Sequence, residues 1–213
     1  MTRKTGAGSA AANLAPHSPW RHLPNLLSIS RVLSIPIIFW LSLSQENLWA
    51  LVVFGYCAVT DLLDGFLAKR FGWDSRFGAL LDPVADRIFV CSLIPLLWHL
   101  DAINSAYTLL VVLRFSIQLS VFPVLFWWLK RPVRVIPGLL SKAAMALAFV
   151  VLGMGFAKQL AIEMFSKASG ATVVFDHTLD ALTVIGCLLE VWVLIKFLPR
   201  YWDIIRERED TIV

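Results

Sequence analysis

The chain has 213 residues, of which 58% are hydrophobic and 16% charged, with a mean hydropathy of +0.73. A water-soluble domain carries about 25% charged residues, so a single soluble globular core is excluded as the main architecture. The net charge is +4 and the pI near 9.1, but the basic residues form short flanks between apolar runs. That pattern reads as membrane topology and argues against nucleic-acid binding.

Residues 1–19 are rich in Gly, Ala, Ser and Pro and read as a disordered tail, with no apolar core of a signal peptide before residue 26. The stretch "PWRHLPNLLS" reads as an interfacial helix with Trp20 at headgroup level. Six apolar runs follow, each long enough for a membrane helix: 26–43, 48–68, 77–100, 106–129, 139–157 and 179–198. Residues 159–177 form the longest predicted connection, and 201–213 a charged tail. The expected fold is all-α, a polytopic six-helix membrane domain over residues 20–200. Basic residues such as Lys69, Arg70, Arg76, Lys130, Arg131 and Arg134 fall on one side, against Lys158 and Lys167 on the other. The positive-inside rule therefore puts both termini in the cytoplasm. Cys57, Cys91 and Cys187 lie singly in apolar runs and read as small core residues. Most of the nine tryptophans, Trp40, Trp49, Trp98 and Trp202 among them, sit near predicted span ends, as an interfacial belt requires.

The stretch "TDLLDGFLAKRFGWDSRFGALLDPVADR" departs from this apolar background. At ~100° per residue, Asp61 and Asp64 share one helix face with Gly65 and Ala68. Gly78, Asp82 and Asp86 share a face of the next helix, and the short "FGWDSR" turn makes the two helices antiparallel neighbours. An Asp near the centre of a membrane helix costs about 2.5 to 3.5 kcal/mol, so four converging carboxylates call for compensation. Oxygen-only ligands select hard cations, Mg²⁺ or Mn²⁺, and two bridged ions suit four aspartates. Because Mg²⁺ usually completes its shell with phosphate oxygens, a phosphate-bearing substrate is implied. An EF-hand is excluded by spacing, and solvated aspartates at loop ends are the bland alternative.

Asp61-x2-Asp64-Gly65-x2-Ala68-Lys69-x8-Gly78-x3-Asp82-x3-Asp86 resembles the motif of the CDP-alcohol phosphatidyltransferases, with Lys69 in place of the family arginine. "PNLLSISRVLSIP" is similar to that family's first span, and "DPVADR" and "PGLLSKAAMAL" resemble its phosphatidylglycerophosphate and cardiolipin synthase branch. The resemblance implies transfer of a phosphatidyl group from CDP-diacylglycerol to an alcohol, with release of CMP. It implies metal ligation by Asp61, Asp64, Asp82 and Asp86, with Asp86 also taking the proton from the acceptor hydroxyl. It further implies donor contacts from Pro24, Asn25, Leu26, Leu27, Gly65, Lys69 and Ser75, although Ser75 also suits a helix cap. A multi-pass protein of the cell inner membrane, and a homodimer, follow from the same likeness.

The acceptor is expected to be glycerol 3-phosphate, with phosphatidylglycerol or another polar alcohol as the alternative. Arg31, Arg134 and Lys142 read either as headgroup anchors or as contacts to an acceptor phosphate, with the anchor favoured. Arg114 either pairs with Glu190 or binds an anionic acceptor. The rivals from other classes are a membrane prenyltransferase, which would release no CMP, and a cation transporter. A transporter would need polar residues continuing across the bilayer, whereas Asp86 is followed closely by Ile88, Phe89 and Val90.

Overall fold

The structure, a computed structural model, describes residues 23–71, 78–123, 139–165 and 170–205. They form six helices and, among the described residues, no strand: α1 (Leu23–Leu43), α2 (Asn47–Phe71), α3 (Gly78–His99), α4 (Ser105–Pro123), α5 (Leu139–Phe165) and α6 (Gly170–Ile205). Helix α3 is central and packs on α1, α4 and α5; α6 closes the bundle against α4 and α5, and α2 rests on α1 and α5.

The amphipathic logic is that of a protein in lipid. Large apolar side chains such as Leu33, Trp40, Leu109, Leu188 and Ile195 face outward, while Ser28, Arg31, Arg114, Gln118 and Glu190 are buried. Inside, Phe54, Phe89, Phe149 and Phe156 form an aromatic cluster with ring centroids 5.3–6.5 Å apart. Two close approaches depend on glycine. A Cβ at Gly155 would fall 2.4 Å from Leu97, and one at Gly186 would fall 2.4 Å from the Tyr107 ring, so α5 can sit on α3, and α6 on α4, only without side chains there.

Three helical segments are long and apolar enough to cross a membrane: Leu26–Leu43, Leu139–Phe165 and Thr172–Pro199. The apolar parts of α2 and α4, Asn47–Asp61 and Ser105–Ser120, are shorter. In α2 and α3 the aspartates interrupt the apolar run.

The predicted connection over 159–177 is corrected: α5 continues to Phe165 and α6 begins at Gly170. Polar ties at this end of the bundle account for the extension. Lys158 donates to the carbonyls of Asp101 (3.1 Å) and Ala102 (3.4 Å) and meets Asp176 at 2.6 Å. Gln159 donates to the Leu100 carbonyl at 2.7 Å, and Asn47 to Glu163 at 2.9 Å. These bonds satisfy carbonyls left open at the end of α3, where Asp101 turns the chain with φ 54°. Asn104 then caps α4 by accepting from the Ala106 amide at 2.9 Å.

Candidate active site

Asp61 lies in the C-terminal half of α2, and Asp86 on the third turn of α3. Arg31, from the third turn of α1 and itself fully buried, joins them. One terminal nitrogen is 2.8 Å from Asp61 Oδ1, and the other donates to Asp86 Oδ1. The favoured reading of Arg31 as a headgroup anchor is therefore corrected, because its guanidinium is turned inward onto two carboxylates. Ser30 and Ser34 spend their hydroxyls on α1 carbonyls, at 2.8 and 2.7 Å, so neither leaves an orphaned donor beside Arg31.

A cavity of about 430 Å³ opens beside these aspartates. Its polar wall consists of Asp61, Asp86 and Arg87, Arg114 and Gln118 of α4, and Lys142 of α5; Phe115, Met145 and Phe149 make its apolar wall. Arg87 is anchored by a 3.1 Å bond from Nε to Gln118 Oε1 and a 2.8 Å bond from Nη1 to the Pro83 carbonyl. Arg114 meets Glu190 of α6 at 2.9 Å, both side chains being 1% exposed, and its guanidinium lies 4.2 Å from the Phe115 ring centroid. The cavity thus gathers carboxylate and cationic side chains in one lining.

The donor set fits a hard divalent cation. Two carboxylates from different helices reach one guanidinium, which compensates their charge, and both offer the oxygen donors that Mg²⁺ or Mn²⁺ prefers. Among the described residues no group of three or more His, Cys, Asp and Glu side chains converges. Asp64 and Asp82 belong to α2 and α3, one helical step from Asp61 and Asp86, but their side chains lie outside the described residues, as do those of Pro24, Asn25, Gly65 and Lys69. Ser75 and Arg134 lie wholly outside them. Leu26 is exposed and Leu27 half-buried at the start of α1.

Arg87 and Gln118 were not singled out as site residues from sequence. A signal existed: Gln118 follows Arg114 by four residues, which puts both on one face of α4. Arg87, directly after Asp86, reads there only as a retained charge of the motif.

The chain is 42% identical over 84 residues to a cardiolipin synthase (CMP-forming) of Streptomyces coelicolor, covering 36% of this chain and 39% of the relative. It is 44% identical over 72 residues to a CDP-diacylglycerol–glycerol-3-phosphate 3-phosphatidyltransferase of Escherichia coli, covering 32% and 40%. The matched stretches thus span about two fifths of the length of these curated relatives. A sequence model described as CDP-alcohol phosphatidyltransferase matches residues 21–192, reaching all six helices. Such a match, on a bundle that presses aspartates of α2 and α3 onto one cavity, makes this chain a member of the CDP-alcohol phosphatidyltransferase family.

Proposed function

We propose that the protein is a six-span membrane enzyme of phospholipid biosynthesis. It transfers a phosphatidyl group from CDP-diacylglycerol to the hydroxyl of glycerol 3-phosphate and releases CMP. The observation that carries this reading is the cavity in which Asp61 and Asp86 face Arg87, Arg114 and Lys142. An acceptor that carries both a phosphate and a hydroxyl suits a lining with both cations and carboxylates.

In this reading Asp61, Asp64, Asp82 and Asp86 hold two Mg²⁺ or Mn²⁺ ions. Bound there, the ions supply positive charge to the donor pyrophosphate and to the departing CMP. Arg31 keeps Asp61 and Asp86 together and offsets their repulsion. Asp86 accepts the proton of the acceptor hydroxyl, and the resulting oxygen attacks the lipid-side phosphorus while the bond to CMP breaks. Arg87, Arg114 and Lys142 hold the acceptor phosphate. Pro24 to Leu27, Gly65, Lys69 and Ser75 hold the nucleotide side of the donor. The termini face the cytoplasm, in the cell inner membrane, and the working unit is a homodimer.

A second reading takes phosphatidylglycerol as acceptor, giving cardiolipin. The apolar wall of Phe115, Met145 and Phe149 favours it, and the Streptomyces relative carries that name. The deciding experiment incubates purified protein in nanodiscs with CDP-diacylglycerol, Mg²⁺ or Mn²⁺ and each acceptor in turn, and resolves lipids and CMP. Phosphatidylglycerophosphate with equimolar CMP is expected from glycerol 3-phosphate. No CMP with any alcohol, or metal flux without a lipid product, would sink the proposal.

A further inference from the structure

The Arg114–Glu190 pair is the one full charge pair buried between α4 and α6 among the described residues. An ion pair at 1% exposure on both sides is expensive to place inside a bundle, and an apolar pair of similar volume packs as well. Stability alone does not account for it.

Its position does. Arg114 forms part of the cavity wall, whereas Glu190 is not part of that wall and approaches from α6. The contact is also incomplete. Arg114 Nη1 and Glu190 Oε2 are the two atoms of the 2.9 Å contact, whereas Arg114 Nε is buried with no hydrogen-bond partner among the described residues. Arg114 therefore keeps N–H capacity that Glu190 does not consume. Arg87 lies near enough for the two guanidinium charges to oppose each other, and Arg87 also senses Asp86. Without the carboxylate from α6, Arg114 would be pushed from Arg87 and drawn toward the cavity's carboxylates, Asp61 and Asp86.

We propose that Glu190 is a positioning residue for acceptor recognition. From α6 it holds the Arg114 guanidinium at the cavity wall, so that a fixed cation faces the acceptor's anionic group. This rests on the reading of the cavity as an acceptor site for a phosphate-bearing alcohol.

The test is steady-state kinetics of the full chain in nanodiscs, varying CDP-diacylglycerol and acceptor separately, for wild type, E190Q and E190D. Glycerol 3-phosphate, phosphatidylglycerol and uncharged glycerol serve as acceptors. E190Q is expected to raise KM for the phosphate-bearing acceptor about tenfold, the size of one lost charged contact, with kcat and donor KM within about twofold. E190D keeps the charge on a shorter arm and is expected to recover most of the loss, leaving a shift of about two- to threefold. An unchanged acceptor KM in E190Q overturns the inference, as does a fall in kcat with both KM values intact, the mark of a merely structural role. If E190Q does not fold, E190D decides: no shift confined to the acceptor KM overturns it. Wild-type enzyme that prefers a phosphate-bearing acceptor while E190Q keeps its KM sinks the Glu190 assignment alone. Wild-type enzyme that uses glycerol equally well sinks the acceptor reading and this inference with it.

Discussion

The guanidinium of Arg31 lies 2.8 Å from the carboxylate of Asp61, thirty positions later in the chain and on a different helix. Through its other terminal nitrogen it also meets Asp86. Three helices are thus pinned at one buried cation. Replacing Arg31 by Gln leaves two partly buried carboxylates without that partner, a loss of about 3–5 kcal/mol. The thermal midpoint of purified R31Q should fall, and Mn²⁺ should raise it more than it raises wild type, since a divalent ion can take over the compensation. Equal metal responses in the two proteins would contradict the shared-cation geometry.

Asp61→Asn and Asp86→Asn should both fold and both lose transfer activity by at least ~10²-fold. They should differ in rescue. Raising Mn²⁺ is expected to restore part of the activity of D61N, in which a ligand is weakened. It should leave D86N inactive, because an amide cannot accept the hydroxyl proton. Assays of CMP release across a metal titration check both, and full activity of D86N would remove the base assignment.

Chelation supplies a third test. EDTA should abolish CMP release, and added Mg²⁺ or Mn²⁺ should restore it, because carboxylate oxygens prefer hard cations. Activity that survives exhaustive chelation would contradict the metal reading.

Glycine substitutions should sort by what a methyl group meets. Gly155→Ala and Gly186→Ala drive a Cβ into Leu97 and Tyr107, at 2.4 Å in each case, and should destabilise by about 1–3 kcal/mol. Gly55→Ala meets nothing within 4 Å and should be neutral or stabilising by a few tenths to about 1 kcal/mol. Thermal unfolding in one detergent ranks the three.

Lys158→Met removes the bonds to the Asp101 and Ala102 carbonyls and the contact with Asp176. It should lower stability by about 1–3 kcal/mol while kcat and both KM values stay at wild-type levels. A change in acceptor KM would show that this end of the bundle is coupled to the cavity.

The helices were readable from sequence because apolar runs of bilayer length force the backbone to bond within itself. The observed ends shift where side chains outside the apolar window finish the job. Lys158, Gln159 and Glu163 carry α5 eight residues past its predicted end. Helix α6 spans 36 residues, roughly 54 Å at the usual rise, far more than the hydropathy window that revealed it. At the site, the aspartates announce themselves by spacing on two neighbouring helices. Arg31 does not, because a lone arginine in an apolar run looks the same whether it reaches headgroups or carboxylates. Its partners are 30 and 55 residues away, and only tertiary packing reveals them. Arg114 and Glu190 are separated by 76 positions, and their match in depth was visible while their orientation toward the cavity was not.

The polar stitching of Lys158, Gln159 and Asn47 gathers at one extremity of the bundle, while Asp61 and Lys142 line the cavity at the other. Along α5 those two regions are separated by sixteen residues from Lys142 to Lys158, roughly 24 Å of helix. The bundle is therefore fastened at both ends, by bonds to backbone carbonyls at one and by the shared Arg31 guanidinium at the other. A bond to a carbonyl can be exchanged for water, whereas releasing Arg31 leaves two carboxylates uncompensated, so the charged clasp resists opening until another cation takes its place.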